Sequence, residues 1–439
     1  MAPTTQLRRA VASSYLGSVI EYYDFLLYAT ASAIVFNKVF FSSLDPLVGT
    51  IASFGTFATG YLARPLGGIL FGHYGDLLGR KKMLVLSMSL MGVASFLIGV
   101  LPTYAQVGWL APAGLVLLRV LQGISVGGEW GGAVLMSAEH ATSRRGLWAS
   151  FTNAGAPSGM VLSTLVLSGT SALVGEQAFL DWGWRVPFLL SIVLLGIGLF
   201  VRLRVEETPV FKAERERSSS LPLMDVLRNH PRTLSLGVGI GLAAFVAQST
   251  LTTFLLAYGV QAGNSRQDIL NALTLSSALA VAGIIGWSAV SDRVGRRPVV
   301  LAGAVLMGIF GFVLFPLVDN GYVVIALVLG QAVFHPMMFG PLAALYSELF
   351  KTGSRYTGAS LGYQIAGLGA GLAPLLFAEV QRSAGTGAIP FILAAFCVLT
   401  VVCTLVLHET SKTSLTGDGD AQRGTGQLAT PPSTHGAEA

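Results

Sequence analysis

Long apolar runs separated by short polar breaks set the pattern of this chain from end to end. Runs of about 20 apolar residues are the length at which one helix crosses a bilayer. The pattern predicts twelve such helices, at roughly 11–38, 49–72, 83–103, 110–137, 147–173, 185–203, 233–260, 268–290, 298–318, 322–346, 357–381 and 387–407. The 53 glycines fit closely packed membrane helices, where small residues let backbones approach, and Gly367 and Gly371 keep the spacing of a packing pair. Composition sharpens this reading: 53% of residues are hydrophobic and 11% are charged, against roughly 25% charged in a soluble protein. Mean hydropathy is +0.67. The formal charge of +5 resides in the short loops, so it marks membrane orientation and not a nucleic-acid partner.

Orientation follows from those loops. Arg8, Arg9, Arg80, Lys81, Lys82, Arg144, Arg145, Arg293, Arg296, Arg297 and Lys351 all fall on the side of the N-terminus, whereas the opposite loops hold only Lys38, Arg185, Arg266 and Arg382. Both termini are therefore expected in the cytoplasm. The first apolar run is too long for a cleavable leader and serves as the targeting signal. Cys397 and Cys403 sit six apart on one run, a rise of roughly 9 Å that exceeds disulfide reach, and read as plain hydrophobes.

The polar breaks also repeat. Asp76-Leu77-Leu78-Gly79-Arg80-Lys81 returns as Asp292-Arg293-Val294-Gly295-Arg296-Arg297, 216 residues later. Glu139 followed by Arg144, and Glu348 followed by Arg355, end the fourth run of each half in the same way. A repeat at half-chain distance predicts an all-α membrane protein of two pseudo-symmetric six-helix bundles, as in secondary transporters. The expected divisions are an N-terminal bundle at 1–203, a cytoplasmic linker at 204–232, a C-terminal bundle at 233–408 and a disordered tail at 409–439. The Asp-x-x-Gly-Arg turn is read as a gate. Asp76, Gly79, Arg80, Glu139 and Arg144 would act on one half, and Asp292, Gly295, Arg296 and Glu348 on the other.

Charges within the runs are few and lie in one half: Glu21, Asp24, Arg64, Arg119 and Glu129. Such charges are costly in a bilayer and face a cavity or a partner. Glu21, Asp24 and Tyr28 share a helix face, as do Arg119, Gln122 and Glu129, with Glu129 roughly 15 Å deeper than Arg119. The guanidinium groups of Arg119 and Arg64 suit a carboxylate, because they stay charged and donate in a fork. Glu21, Asp24 and Glu129 are candidates for proton coupling. Arg64 with Glu129, and Arg119 with Glu21 or Asp24, fit equally as structural ion pairs. Further candidates to line a substrate cavity are Tyr22, Tyr28, Tyr61 and Trp130, facing Gln248, Gln331, His335 and Gln364 of the second half. The bond before Pro336 is a place where a helix break exposes backbone groups.

These strings resemble the major facilitator superfamily, through Asp76-x-x-Gly79-Arg80-Lys81 and Arg119-x-x-Gln122-Gly123. The finer resemblance is to the metabolite:proton symporter family and its shikimate-transporter-like branch. It is carried by Gly17-Ser18-Val19-Ile20-Glu21-Tyr22-Tyr23-Asp24-Phe25, Ala63-Arg64-Pro65-Leu66-Gly67-Gly68, Gly183-Trp184-Arg185-Val186-Pro187-Phe188 and Glu206-Glu207-Thr208-Pro209. The resemblance implies proton-driven uptake of a small polar metabolite by alternating access. Its substrates would be shikimate-like, dicarboxylic, tricarboxylic or aromatic acids, or a betaine or proline type of zwitterion. The expected partners are substrate, protons and membrane lipid, around a functional monomer in the cell membrane. A drug:proton antiporter is disfavoured, since Thr152 to Gly159 holds only fragments of the Gly-x-x-x-Gly-Pro-x-x-Gly-Gly motif. No phosphate-binding loop or metal-ligand cluster stands in the sequence, so neither an enzyme nor a cofactor is expected.

Overall fold

The computed structural model describes residues 3–78, 80–141, 143–203, 222–350 and 355–411; within these, the side chains of 3–6, 9, 10, 72–78, 80, 81, 84, 136, 139, 140, 201–203, 222, 225 and 356 are not described. Among the described residues every regular element is a helix. The first six long ones are α1 (Pro3–Ile34), α2 (Pro46–Leu78), α3 (Arg80–Val100), α4 (Leu110–Gly127, resumed as Trp130–His140), α5 (Arg145–Val174) and α6 (Arg185–Leu189, resumed as Ser191–Leu203). The second six are α7 (Pro231–Gln261), α8 (Arg266–Val294), α9 (Arg296–Asp319), α10 (Val323–Leu349), α11 (Arg355–Ala384) and α12 (Ile389–Val406).

Eight of these are long and apolar enough to cross a membrane, or nine when α6 is joined to the bent turn before it. The other three are α1, α2 and α3. The long helices thus correspond one to one with the twelve apolar runs.

Proline and π-helical turns interrupt the regularity where neighbours can take up the freed backbone groups. α7 carries a π turn at Thr250–Phe254, and α10 carries one at Val328–Phe334, immediately before His335-Pro336. α4 runs as one span from Leu110 to Leu135, as the apolar pattern predicts. It loosens into a turn at Gly128–Glu129, where both residues keep right-handed helical angles, and an acidic residue sits at that turn.

The halves face each other along α5 against α8 and α2 against α11, with α5 also touching α10. The α2–α11 contact has no clearance. A Cβ on Gly371 would lie 2.4 Å from the Cβ of Tyr61, so only glycine allows this approach.

At the end of the bundle that carries the termini, Asp292 accepts hydrogen bonds from the backbone N–H groups of Gly146 (2.8 Å) and Leu147 (2.9 Å) at the start of α5. A carboxylate there meets the positive end of a helix of the other half. Arg296 pairs with Asp292 at 2.8 Å and with Glu348 at 3.1 Å, and Arg145 of the first half approaches Glu348 at 3.8 Å. Arg144 precedes α5 with φ of 53°, in the left-handed region. In the first copy of the repeat, Gly79 and the side chains of Asp76, Arg80 and Glu139 lie outside the described residues, as does 204–221 of the linker.

Residues 409–411, which follow the last long helix, pack against the second bundle. Glu409 accepts from the backbone N–H groups of Arg296 (2.8 Å) and Arg297 (3.1 Å), and Thr410 donates to Glu348 at 2.8 Å. Partial burial opposes the charge of Glu409, but the N–H groups of Arg296, Ser411 and Arg297 outweigh it and hold the carboxyl below its ordinary range. Gly295, at φ of 102°, leaves room for this contact, since a Cβ there would meet Glu409 Oε2 at 2.6 Å.

Candidate functional site

Two arginines lie at the heart of the molecule. Arg119 of α4 is 0% exposed and Arg64 of α2 is 1% exposed. Both guanidinium groups stack over the ring of Phe25, at 3.8 Å for Arg119 and 4.1 Å for Arg64. Arg119 also lies 4.2 Å from the Tyr28 ring, and Arg64 lies 4.3 Å from that of Tyr61. Cation–π contact is worth about 2 kcal/mol or more where water is excluded. That offsets only part of the several kcal/mol needed to bury a charge. In both arginines Nε and Nη2 are buried with no hydrogen-bond partner among the described residues. Orphaned donors of this kind are rare in a finished structure and point to a missing acceptor.

Gly60 packs directly on the Arg119 side chain, where a Cβ would lie 2.4 Å from Nε. Arg119 Nη1 donates to Gln122 Oε1 at 3.0 Å, and Gln122 Nε2 donates to Ser95 Oγ at 2.7 Å. Ser95 is a polar neighbour of the Asp24 carboxylate, which accepts a hydrogen bond from Ser191. Gln122 and Ser95 therefore stand between the cation and the acid, and the two do not pair directly. The ion pair of Arg119 with Asp24, left open by the sequence, does not form here.

Glu21, Asp24 and Glu129 meet on a small cavity inside the first bundle, away from the seam, with Ser87, Met88 and Ser125 among its other walls. Its volume of about 10 Å³ is near the minimum for one water molecule. All three carboxylates are buried.

The second half closes this site with neutral groups. Tyr363 of α11 exchanges a hydrogen bond with Tyr22 (2.8 Å) and stacks on Trp130 at 3.5 Å. Gln364 donates to the Gly127 carbonyl at 3.2 Å, and its Oε1 is buried without a partner. Asn153 bridges the halves, accepting from Trp130 Nε1 and donating to the Phe339 carbonyl at 2.9 Å. His335 stacks on Phe339, with Nε2 unpartnered among the described residues.

Other candidates lie elsewhere. Gln331 accepts from Ser276 (2.9 Å) and donates to Ser277 (2.8 Å), so it ties α10 to α8 within the second bundle. Gln248 is buried on α7, and its carbonyl accepts from Thr252. Phe25, Tyr363, Asn153, Ser95 and Ser191 were not singled out from the sequence. Phe25 directly follows Asp24 in the same conspicuous string, and Tyr363 directly precedes Gln364; adjacency was the available signal for both.

Comparison with known proteins fits this architecture. The Major Facilitator Superfamily model matches residues 15–286, and the model described as Sugar (and other) transporter matches 243–417. The chain belongs to the major facilitator superfamily. An Escherichia coli K12 inner membrane metabolite transport protein, YhjE, is 38% identical, with 94% of this chain and 97% of that protein covered. The shikimate transporter of the same organism is 36% identical over 93% and 96%. Its proline/betaine transporter is 33% identical over 94% and 85%. Among solved structures, that of a D-xylose-proton symporter superposes with a TM-score of 0.75 at 18% identity, covering 93% of this chain and 99% of that one, and shows the shared fold. The protein is a multi-pass membrane transporter of the sugar and metabolite type.

Proposed function

We propose that this protein is a proton-coupled importer of a small organic acid in the shikimate-like, dicarboxylate, tricarboxylate or aromatic class. One observation carries the reading: two fully buried guanidinium groups share one aromatic ring and keep four N–H-bearing nitrogens without an acceptor among the described residues. A carboxylate placed against them would satisfy those donors and neutralise buried charge together. Trp130, Tyr22 and Tyr28 supply the apolar and hydroxylic walls around it.

Glu21, Asp24 and Glu129 carry the proton. Their small cavity lies within the first bundle, so proton and substrate occupy separate compartments joined by Gln122 and Ser95. Substrate on Arg119 alters the hydrogen bond to Gln122, and that change reaches Asp24 through Ser95. The Asp292–Arg296–Glu348 cluster, with Asp76 and Arg80 in the pseudo-equivalent loop, locks the cytoplasmic end while the outer end opens. The protein works as a monomer in the inner or plasma membrane with both termini in the cytoplasm, an orientation supported by the loop arginines and lysines.

A second reading is a carboxylate-bearing zwitterion of the betaine or proline type. The stacked Trp130 and Tyr363 favour it, because aromatic faces attract quaternary ammonium groups. Uptake of labelled shikimate, a dicarboxylate, an aromatic acid and glycine betaine into proteoliposomes with an imposed pH gradient separates the two. Gradient-driven uptake of an acid is the expected result. Uptake of betaine alone selects the zwitterion, and dye export without uptake of any of these compounds sinks both.

A further inference from the structure

The face opposite the termini holds few basic residues: Lys38, Arg185, Arg266 and Arg382. Two of them are engaged locally. Arg185 donates to the Leu101 carbonyl at 2.9 Å and lies against the Trp184 ring, and Arg382 pairs with Glu379. The other two, Lys38 and Arg266, line a single cavity of about 390 Å³.

That cavity straddles the seam. Asn37, Lys38, Asp45 and Thr50 come from the first half, and Gln261 and Arg266 from the second. It is open to solvent and lies beyond the ends of α1 and α7, the helices whose middle portions border the central site. Two buried polar atoms in its lining residues have no partner among the described residues: Nε of Arg266, a donor, and Oδ1 of Asn37, an acceptor. The acid in the wall, Asp45, has one oxygen committed to the Leu47 backbone N–H at 3.0 Å. Arg266 reaches across the halves to Glu176 at 3.0 Å, but Glu176 is 73% exposed, so this pair is screened and exchangeable.

We infer that this cavity is a capture site for the anionic substrate at the outer mouth of the transporter. Lys38 attracts the carboxylate, and Arg266 receives it in place of Glu176. A substrate hydroxyl would donate to Asn37 Oδ1, the orphaned acceptor. A site at the junction of two moving bodies with few convergent polar groups is a usual place for ligand binding. Its basic residues raise the local concentration of anions above the seam, an effect that falls as salt rises. The inference rests on the organic-acid reading above, and adds a first binding step that the central arginines do not supply.

The test is initial uptake of the same acid panel into proteoliposomes at low and high ionic strength, for the wild type, Lys38→Gln, Arg266→Gln, Arg266→Lys and Glu176→Gln. In low salt, Lys38→Gln and Arg266→Gln should each raise KM by roughly 3- to 10-fold, with a smaller change in maximal rate. Arg266→Lys should restore much of the loss, and high salt should bring wild type and variants together. Glu176→Gln frees Arg266, so KM should fall. If Glu176→Gln instead reproduces the Arg266→Gln defect, Arg266 serves only as a lock and the capture site is overturned. Unchanged KM in the Lys38 and Arg266 variants, beside a wild type that takes up acid, overturns the capture site alone. A wild type that takes up no acid overturns the organic-acid reading with it.

Discussion

The two halves share a fold but not a chemistry. The first half buries Glu21, Asp24, Arg64, Arg119 and Glu129, whereas the second meets them with Tyr363, Gln364, Phe339 and His335. Near the termini the balance is different: Asp292, Arg296 and Glu348 of the second half engage the start of α5 and Arg145 of the first. A duplicated architecture can thus divide its labour. One bundle keeps the charges buried at the centre, and the other sets aromatic and amide groups against them and an ion-pair cluster at the end of the bundle.

Substitutions on either side of the seam should expose that division. The largest effect is expected for Arg119→Lys, where a compact ammonium replaces the planar fork and its Nη1 bond to Gln122 Oε1 is lost. Uptake should fall at least about 100-fold, a loss of roughly 2.7 kcal/mol of differential stabilisation, with membrane levels unchanged on an immunoblot. Near-normal uptake would reduce Arg119 to a packing group.

Glu129→Gln keeps the shape and removes the titrating group. Accumulation against a gradient should drop roughly 10-fold or more, while exchange of internal for external substrate continues. Retained pH-driven accumulation would remove Glu129 from the proton step.

Gly371→Val tests the neutral half at the point of closest approach. The added side chain meets Tyr61, and overpacking of this kind costs about 1–3 kcal/mol. If closure is as tight as the α2–α11 contact implies, maximal rate should fall about 10-fold, and substrate affinity in equilibrium binding should change little.

The smallest effect belongs to Tyr363→Phe, which loses the hydrogen bond to Tyr22 but keeps the stack on Trp130. A net loss near 1 kcal/mol corresponds to a KM change of about 3- to 6-fold. An effect as large as that of Arg119→Lys would erase the contrast between the halves.

Much of this organisation could be read in the sequence. Bilayer length fixes the apolar runs, so all twelve long helices were predictable, and a charge in such a run is rare enough to attract attention alone. The three-residue step from Arg119 to Gln122 places both on one helix face, and they do hydrogen-bond. What could not be read depends on distance in the chain. Tyr22 and Tyr363 meet across 341 positions, and neither neighbourhood announces the other. Phe25 was hidden for a different reason: aromatic residues abound in membrane helices, and only the fold reveals one lying under two guanidinium groups. The turn at Gly128–Glu129 has no sequence signal, because glycine is common within these helices and hydropathy does not register it. Glu409 follows the last apolar run and reads as tail, although its carboxylate caps α9.

The Gln122–Ser95 link has a further consequence. Opposite charges buried close together collapse into a pair, and each then ceases to answer to anything outside. An amide and a hydroxyl standing between Arg119 and Asp24 act as an insulating spacer: they hold the charges in register while keeping them from discharging into one another. In the proposed mechanism this leaves the cation open to an anion that arrives from elsewhere and the acid open to a proton, so that separation itself would be the condition for coupling.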